Sequence, residues 1–321
     1  MTVGFVSVIV PVYNGLPDLD VQLSALEAQD VDVEFEVIIS DNGSTDGLRD
    51  HLERRESPLD IRWIDSSDVQ GTPHARNAGI EAARGDFLAF TDQDDAVYPG
   101  WFTALTRAGE KCDAVGGPIE VETLNSPEVA SWRAVPEPDE RFETTYLPYA
   151  HGNNFGMWRR VLEQIGPFDE SFLGGGEDAD ISWRIQQAGL TLGHAPDAMV
   201  AYRLRTTMVA AFRQGVGYGK SAWQVTHKHE PNGAEQPSAR ELLLFAYGLA
   251  IRNPLLPKFL TPLPKGMWAM SAGSVHGTVM MRVRYALAER GISRRQQGRW
   301  SRTRPRAGAA PSGSTSGFRR Q

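Results

Sequence analysis

The stretch F-L-A-F-T-D-Q-D-D, residues 87–95, sets a four-residue apolar run directly against Asp92, Asp94 and Asp95. The apolar half reads as a strand buried on both faces, as strands in parallel sheets are. The acidic half is then a loop at that strand's carboxyl end. Two readings are open for it: an acidic surface turn, or one side of a cation site. Packed carboxylates repel unless a cation relieves them. A pair separated by one residue suits Mg²⁺ or Mn²⁺, which keep waters and take phosphate oxygens from a substrate.

Working outward, the preceding residues alternate strand and helix. Residues 5–11 form a continuous β-branched run, and residues 16–28 carry Leu16, Leu19, Leu23 and Leu26 as a helical stripe. A second strand is expected at 35–40, a polar helix at 46–55 and a short strand at 61–64. Thr72 as a hydroxyl cap and Pro73 behind it open a helix that runs to residue 84, with Gly85 to stop it. Such a rhythm implies an α/β fold with a mostly parallel sheet flanked by helices. Ligands of these sheets bind beyond the strands' carboxyl ends. Both D-N-G-S-T-D (41–46) and T-D-Q-D-D (91–95) fall there.

From about residue 116 the rhythm changes. Residues 117–150 read as a strand-and-loop excursion, and helices are expected at 159–165, 178–188 and 207–226, the last despite the glycines of G-V-G-Y-G. A Pro/Gly-rich joint at 231–237 leads to an apolar helical segment ending near residue 291. The remaining tail holds eight arginines, from Arg294 to Arg320, and no acid. It has too little apolar surface to offset the entropy of folding and is expected to be disordered.

The chain of 321 residues has a formal net charge of −7, so the body outside the tail is more acidic than the total suggests. That balance argues against nucleic-acid binding and leaves room for contact with an anionic membrane surface. Cys112 is the only cysteine, which excludes an intrachain disulfide. The N-terminus starts almost at once with a strand, without a basic n-region or cleavage site, and no apolar run reaches the roughly 18 residues of a spanning helix. A cytoplasmic protein is expected, peripheral at most at the inner face of a membrane.

The first strand ends in P-V-Y-N-G (11–15), so neither the dinucleotide fingerprint nor the P-loop is present. D-N-G-S-T-D is either a turn with cap residues or a place where Asp41 accepts hydrogen bonds from a nucleobase. G-G-G-E-D-A-D (174–180) puts Glu177 and Asp178 at a helix start. They are either carboxylates favoured by the helix dipole or a general base on a movable glycine loop. H-G-N-N (151–154) is the least specific piece, since Asn beside Gly usually marks a turn.

Taken in order, V-S-V-I-V-P-V-Y-N, D-N-G-S-T-D, A-R-N-A-G, T-D-Q-D-D, G-N-N-F-G-M-W-R-R, G-P-F-D-E-S-F and G-G-G-E-D-A-D-I-S-W-R resemble the family 2 glycosyltransferases of the GT-A fold, over residues 5–205. The resemblance implies a nucleotide-diphosphate sugar donor, Mn²⁺ or Mg²⁺, and transfer of a hexosyl group with inversion. It implies that Pro11, Tyr13 and Asp41 line the base and ribose pocket, with Arg76 near the ribose or diphosphate. Asp92 and Asp94 form the D-x-D motif, Asp92 toward the nucleotide and Asp94 as metal ligand. Asn153 and Asn154 face the acceptor, and Asp178, beside Glu177, is the base. Residues 1–115 then form the nucleotide-sugar half, 116–226 the acceptor half, 227–292 a helical extension and 293–321 the tail. Relatives often carry a further histidine ligand after the strand that follows the Glu-Asp helix. The matching stretch here is D-A-M-V-A-Y-R-L-R (197–205), with Ala201 and Tyr202 at the place in question and His194 several residues early.

The function expected is an inverting, metal-dependent glycosyltransferase of polysaccharide or glycoconjugate assembly, with a carbohydrate or lipid-linked acceptor. Asp41 as a base-edge acceptor favours a UDP- or dTDP-sugar. The missing histidine keeps a second reading open, a non-catalytic GT-A protein that binds nucleotide sugar or acts as a scaffold. A nucleotidyltransferase would need a glycine-rich, basic opening loop, which is absent.

Overall fold

In the computed structural model, residues 2–30, 33–172, 174–257 and 262–301 are described. Met1–Met281 forms one compact unit and Arg282–Gln321 a second, of which residues 282–301 are helical. The expected tail from residue 293 thus begins inside a helix, and its part from 302 on lies outside the described residues.

The first half follows the sequence closely: β1 (Phe5–Val12), α1 (Asp18–Glu27), β2 (Glu34–Asp41), α2 (Leu48–Arg54), β3 (Asp60–Asp65), α3 (Thr72–Ala82) and β4 (Phe87–Phe90). Then come β5 (Ala96–Val97), α4 (Trp101–Gly109), β6 (Ala114–Gly116), β7 (Ile119–Glu120), α5 (Pro127–Ala130), β8 (Phe155–Trp158) and α6 (Arg159–Ile165). The chain closes with α7 (Glu177–Gln187), β9 (Leu192–His194), β10 (Val200–Ala201), α8 (Met208–His229), α9 (Ala239–Ile251) and α10 (Lys265–Ser301).

The main sheet has the order β3-β2-β1-β4-β8-β6-β9. Its first four strands are parallel, β8 runs antiparallel to both neighbours, and β9 is parallel to β6. A small second sheet joins β5, β10 and β7. The boundary expected at 115/116 falls inside β6, and the sheet continues across it.

The core explains the order. Val6, Val8, Ile9, Val10, Val37, Ile38, Ile39 and the whole of β4 are buried, so β1, β2 and β4 occupy the middle of the sandwich. Glu36 is a fully buried charge in β2. It is held by Ser7, Arg62 and Arg84, whose hydrogen bonds outweigh burial and keep its pKa below the usual carboxylate range. The antiparallel strand β8 passes Phe87 closely; a Cβ at Gly156 would meet that ring at 2.7 Å.

Two local expectations change. Gly71, not Thr72, caps α3, at φ 144°, a conformation only glycine adopts readily, and the helix starts at Thr72. Gly85 does not stop that helix, which already ends at Ala82. It lets the chain cross β1, where a Cβ would lie 2.6 Å from the Ser7 nitrogen.

The glycines of G-V-G-Y-G also find a use. Gly215 and Gly219 of α8 face the backbone of Met270 and Ser274, while Gly273 and Gly277 of α10 face that of Phe212 and Val216. The two helices therefore run parallel with their main chains in contact, and Thr278 Oγ1 donates to the Gly219 carbonyl at 3.1 Å. Among the described residues, no helix is long and apolar enough to cross a membrane.

Overpacking this joint costs about 1–3 kcal/mol or more. Gly219→Val is expected to lower the urea midpoint accordingly. Gly248→Ala in α9, where a Cβ meets open space, is expected to raise stability by about 0.5–1 kcal/mol.

Candidate active site

Four segments converge on one buried arginine. Arg76, on α3, donates from Nη1 to Glu177 Oε1 at 2.7 Å and from Nη2 to Asp92 Oδ1 and the Gly152 carbonyl, both at 3.0 Å. It therefore ties the acidic loop after β4, the turn before β8 and the start of α7 together. A side chain at Gly152 would meet the guanidinium at 2.8 Å, so the turn needs glycine there. The neighbouring Asn77 binds the Phe168 backbone through both its oxygen and its nitrogen. One A-R-N motif thus fixes both the site and the G-P-F-D-E-S-F loop.

Glu177 is buried, and its Oε2 and Arg76 Nε have no hydrogen-bond partner. Burial outweighs the attraction of Arg76, and with Asp178 alongside it pushes the Glu177 carboxyl up to about 7. Asp178 accepts from Gly152 N at 3.2 Å and Ala179 N at 2.8 Å. The glycine directly before this pair sits against α8. Gly176 has φ 91°, and a Cβ on it would come within 2.9 Å of Ser221 on α8.

The three aspartates of the loop have three environments. Asp92 is a third exposed and faces Arg76. Asp94 is mostly buried, which with Asp92 nearby raises its pKa; Arg205 lies 3.3 Å from its Oδ2. Asp95 is fully buried, accepts from Asn153 Nδ2 at 2.5 Å and Arg203 N at 2.9 Å, and is raised well above the carboxylate range by burial. Gln93 exchanges hydrogen bonds with the Tyr13 backbone, fastening the loop to the end of β1.

Among the described residues, no three His, Cys, Asp or Glu side chains are arranged to hold a metal ion. The donor set fits a cation that shares its ligands: Asp94 with Asp92 beside it, the remainder coming from waters and phosphate oxygens. Residues 197–205, where a histidine ligand would stand, supply arginine. Tyr202 is buried, and Arg203 and Arg205 reach the acidic loop. His194 is turned away, with Nε2 against the Pro138 carbonyl at 2.8 Å.

A cavity of about 1010 Å³ is lined by Arg76, Asp92, Asn153, Glu177 and Asp178. Pro11, Tyr13, Asp41 and Asp94 are not part of that wall. Pro11 and Asp41 stand at adjacent strand ends with Tyr13 just beyond, and Asp41 accepts from Ser44 N at 2.8 Å and Trp63 Nε1 at 3.2 Å. Asn154 corrects an expectation. Its oxygen accepts from Trp101 Nε1, and its nitrogen donates to the Pro118 and Ala198 carbonyls, so it has no donor left for an acceptor. It is framework, joining α4 to the two sheets.

Sequence reasoning missed Arg133, Tyr149, Tyr202, Arg205 and Tyr218, which line the same cavity, and treated His151 there as part of a turn. Arg205 and Tyr202 were findable, since both lie in residues 197–205. Arg133, Tyr149 and Tyr218 have no local pattern. Burial, then Arg133, pushes the His151 imidazole down to about 4.

Solved structures similar to this chain include a mannosyltransferase from Pyrobaculum calidifontis in complex with GDP-Man and Mn²⁺, at 22% identity and a TM-score of 0.55, covering 90% of this chain and 81% of that one. Another is S. aureus TarS 1–349 in complex with UDP-GlcNAc, at 18% identity and a TM-score of 0.56, covering 90% and 92%. These likenesses show the fold, the GT-A fold of glycosyltransferases. In sequence, the signature of Glycosyl transferase family 2 matches residues 7–166. Glycosyltransferase AglE of Haloferax volcanii is 30% identical over 226 residues, covering 67% of this chain and 73% of that protein. The pre-mycofactocin glycosyltransferase of Mycobacterium tuberculosis is 27% identical over 241 residues, 70% of this chain but 48% of that protein, so the match spans about half its length. The chain belongs to glycosyl transferase family 2 and is a glycosyltransferase.

Glu177 gives the folded protein a pH signature. Its ordinary pKa is 4.5 and its folded value about 7, so the folded state holds the proton longer than the unfolded chain. Its share of stability is complete below about pH 4.5 and is lost as pH rises to about 7. As pH rises from about 5 to 8, wild type loses this share and Glu177→Gln does not, so the stability difference between them is expected to shift toward the variant, read from urea midpoints at each pH.

Proposed function

We propose that this glycosyltransferase is inverting and metal-dependent, and that it moves a hexosyl group from a nucleotide-diphosphate sugar to an acceptor hydroxyl in polysaccharide or glycoconjugate assembly. The observation that supports it is the Arg76 clamp. It holds Asp92, next to the metal-side Asp94, and the Glu177–Asp178 pair on the wall of one cavity.

On this reading the acceptor oxygen attacks the anomeric carbon opposite the diphosphate. Asp178 takes the hydroxyl proton, and the electron pair of the broken C–O bond leaves on the diphosphate. Asp178 suits the role because two backbone N–H groups orient its carboxylate. Mn²⁺ or Mg²⁺ bound at Asp94 would offset the charge growing on the leaving group. Arg205, beside Asp94, adds a second positive charge there. Asp41 accepts from the N3–H of uridine or thymidine, with Pro11 and Tyr13 along the base and ribose. Asn153 faces the acceptor from the cavity wall.

Donor turnover with Mn²⁺, measured across UDP-, dTDP- and GDP-sugars, tests this. Chelation is expected to abolish transfer, and the product's anomeric configuration by NMR to be opposite to the donor's. Asp178→Asn is expected to lower the rate by on the order of 10²–10⁴-fold while nucleotide binding persists. Full activity in that variant would remove Asp178 as the base.

Contact with an anionic membrane surface is also proposed, on one observation. Leu243, Leu244, Tyr247 and Ile251 form a stripe on α9, each more than half exposed, with Arg240 and Arg252 also exposed on the same segment. Flotation with phosphatidylserine vesicles is expected to carry the protein at low salt and to release part of it at high salt. No binding at low salt ends this reading.

A further inference from the structure

The cavity wall carries a cation that the proposed chemistry does not use. Arg133 follows α5 and lines the cavity with its guanidinium carbon 4.9 Å above the Tyr202 ring. Its Nη2 donates to His151 Nε2 at 2.9 Å, while Nη1 is buried and has no hydrogen-bond partner. No carboxylate pairs with it among the described residues; its close neighbours are His151 and the phenols of Tyr149, Tyr202 and Tyr218. Arg76 is different, being spanned by two carboxylates. The ring of Tyr202 and the nitrogen of His151 hold this half-buried guanidinium, but neither neutralises its charge.

Its surroundings keep the charge in place. An arginine can only donate, so His151 Nε2 must accept, and His151 Nδ1–H then donates to Asn153 Oδ1 at 2.8 Å. Asn153 Nδ2 in turn donates to Asp95 Oδ2. The series Arg133, His151, Asn153, Asp95 has one consistent donor direction. It requires a neutral imidazole, which agrees with the depressed His151 pKa. This series reaches Arg133 from the acidic loop through a buried relay, so Arg133 itself touches neither Asp92 nor Asp94. On its other side α8 contributes Gln214, whose nitrogen lies 3.0 Å from the Tyr218 hydroxyl, and the exposed Arg213.

We infer that Arg133 is the anion-binding residue of an acceptor subsite, so that the acceptor carries a phosphate or carboxylate group close to the hydroxyl that is glycosylated. Tyr149, Tyr202 and Tyr218 wall the subsite, and Arg213 stands nearer the opening of the cavity. The assignment deepens the glycosyl-transfer reading and rests on it. The diphosphate of the donor already has Arg205 and the Asp94 cation site, so the anion at Arg133 belongs to the second substrate.

Glycerol 3-phosphate serves as the probe and glycerol as its neutral control. Each is titrated by calorimetry into the full-length protein, free and saturated with UDP and Mn²⁺, in wild type and Arg133→Gln. Glycerol 3-phosphate is expected to bind wild type in both states, glycerol in neither. Arg133→Gln is expected to weaken the phosphate about tenfold or more, to keep UDP affinity within about twofold, and to leave Tm close to that of wild type. Arg133→Lys is expected to recover part of the binding. Equal phosphate binding in wild type and Arg133→Gln, or none in wild type, overturns the inference. Loss of UDP binding in the variant also overturns it, since the cation would then serve the donor. A lowered Tm with unchanged phosphate affinity assigns Arg133 to the fold and overturns it as well. If UDP fails to bind wild type while the phosphate still depends on Arg133, the donor reading fails and the subsite stands.

Discussion

The site depends on a charge that has nowhere else to go. Arg76 is 2% exposed, and a guanidinium at that depth is tolerable only if its partners come to it. Asp92, Glu177 and Gly152 do so from three loops that are far apart in the chain. Removing any one carboxylate leaves the arginine short of countercharge, a change that costs about 3–5 kcal/mol for buried pairs. The parallel sheet delivers the strand ends to one side of the molecule, and this arginine decides how the loops beyond them are set against each other.

Within each motif, neighbouring residues are used for opposite ends. Asn153 joins the cavity wall while Asn154 is consumed by the backbone of the two segments that link the sheets. Glu177 locks the arginine while Asp178 is free to face the cavity. Asp95 is sealed beneath the loop that Asp92 and Asp94 present. In a loop or a first helical turn, successive side chains point in different directions, so two adjacent like residues need not be equivalent groups.

That is also where the sequence stops being readable. The strands β1, β2 and β4 announce themselves because burial on both faces demands an unbroken apolar run, and the acidic loops are legible because they follow those runs. The A-R-N motif and the Glu-Asp pair could be placed from their order along the chain. The strands β5, β7 and β10 have two residues each, too few for any period to show. Nothing near position 133 marks its arginine, because its neighbours Tyr202 and Tyr218 arrive from more than 60 residues away. The close approach of Gly176 to Ser221 on α8 has no mark in the sequence, because the two are far apart along the chain.

The joint between α8 and α10 bears on how such a chain can diversify. Four glycines bring main chain against main chain, so the position of α8 is set mostly by atoms that every residue has in common. The exposed side chains that α8 turns toward the cavity, Arg213 and Ala222 among them, take no part in that contact. They can drift without unseating it. A wall whose anchorage is independent of its lining allows one scaffold to explore many molecular shapes at low cost to its own integrity.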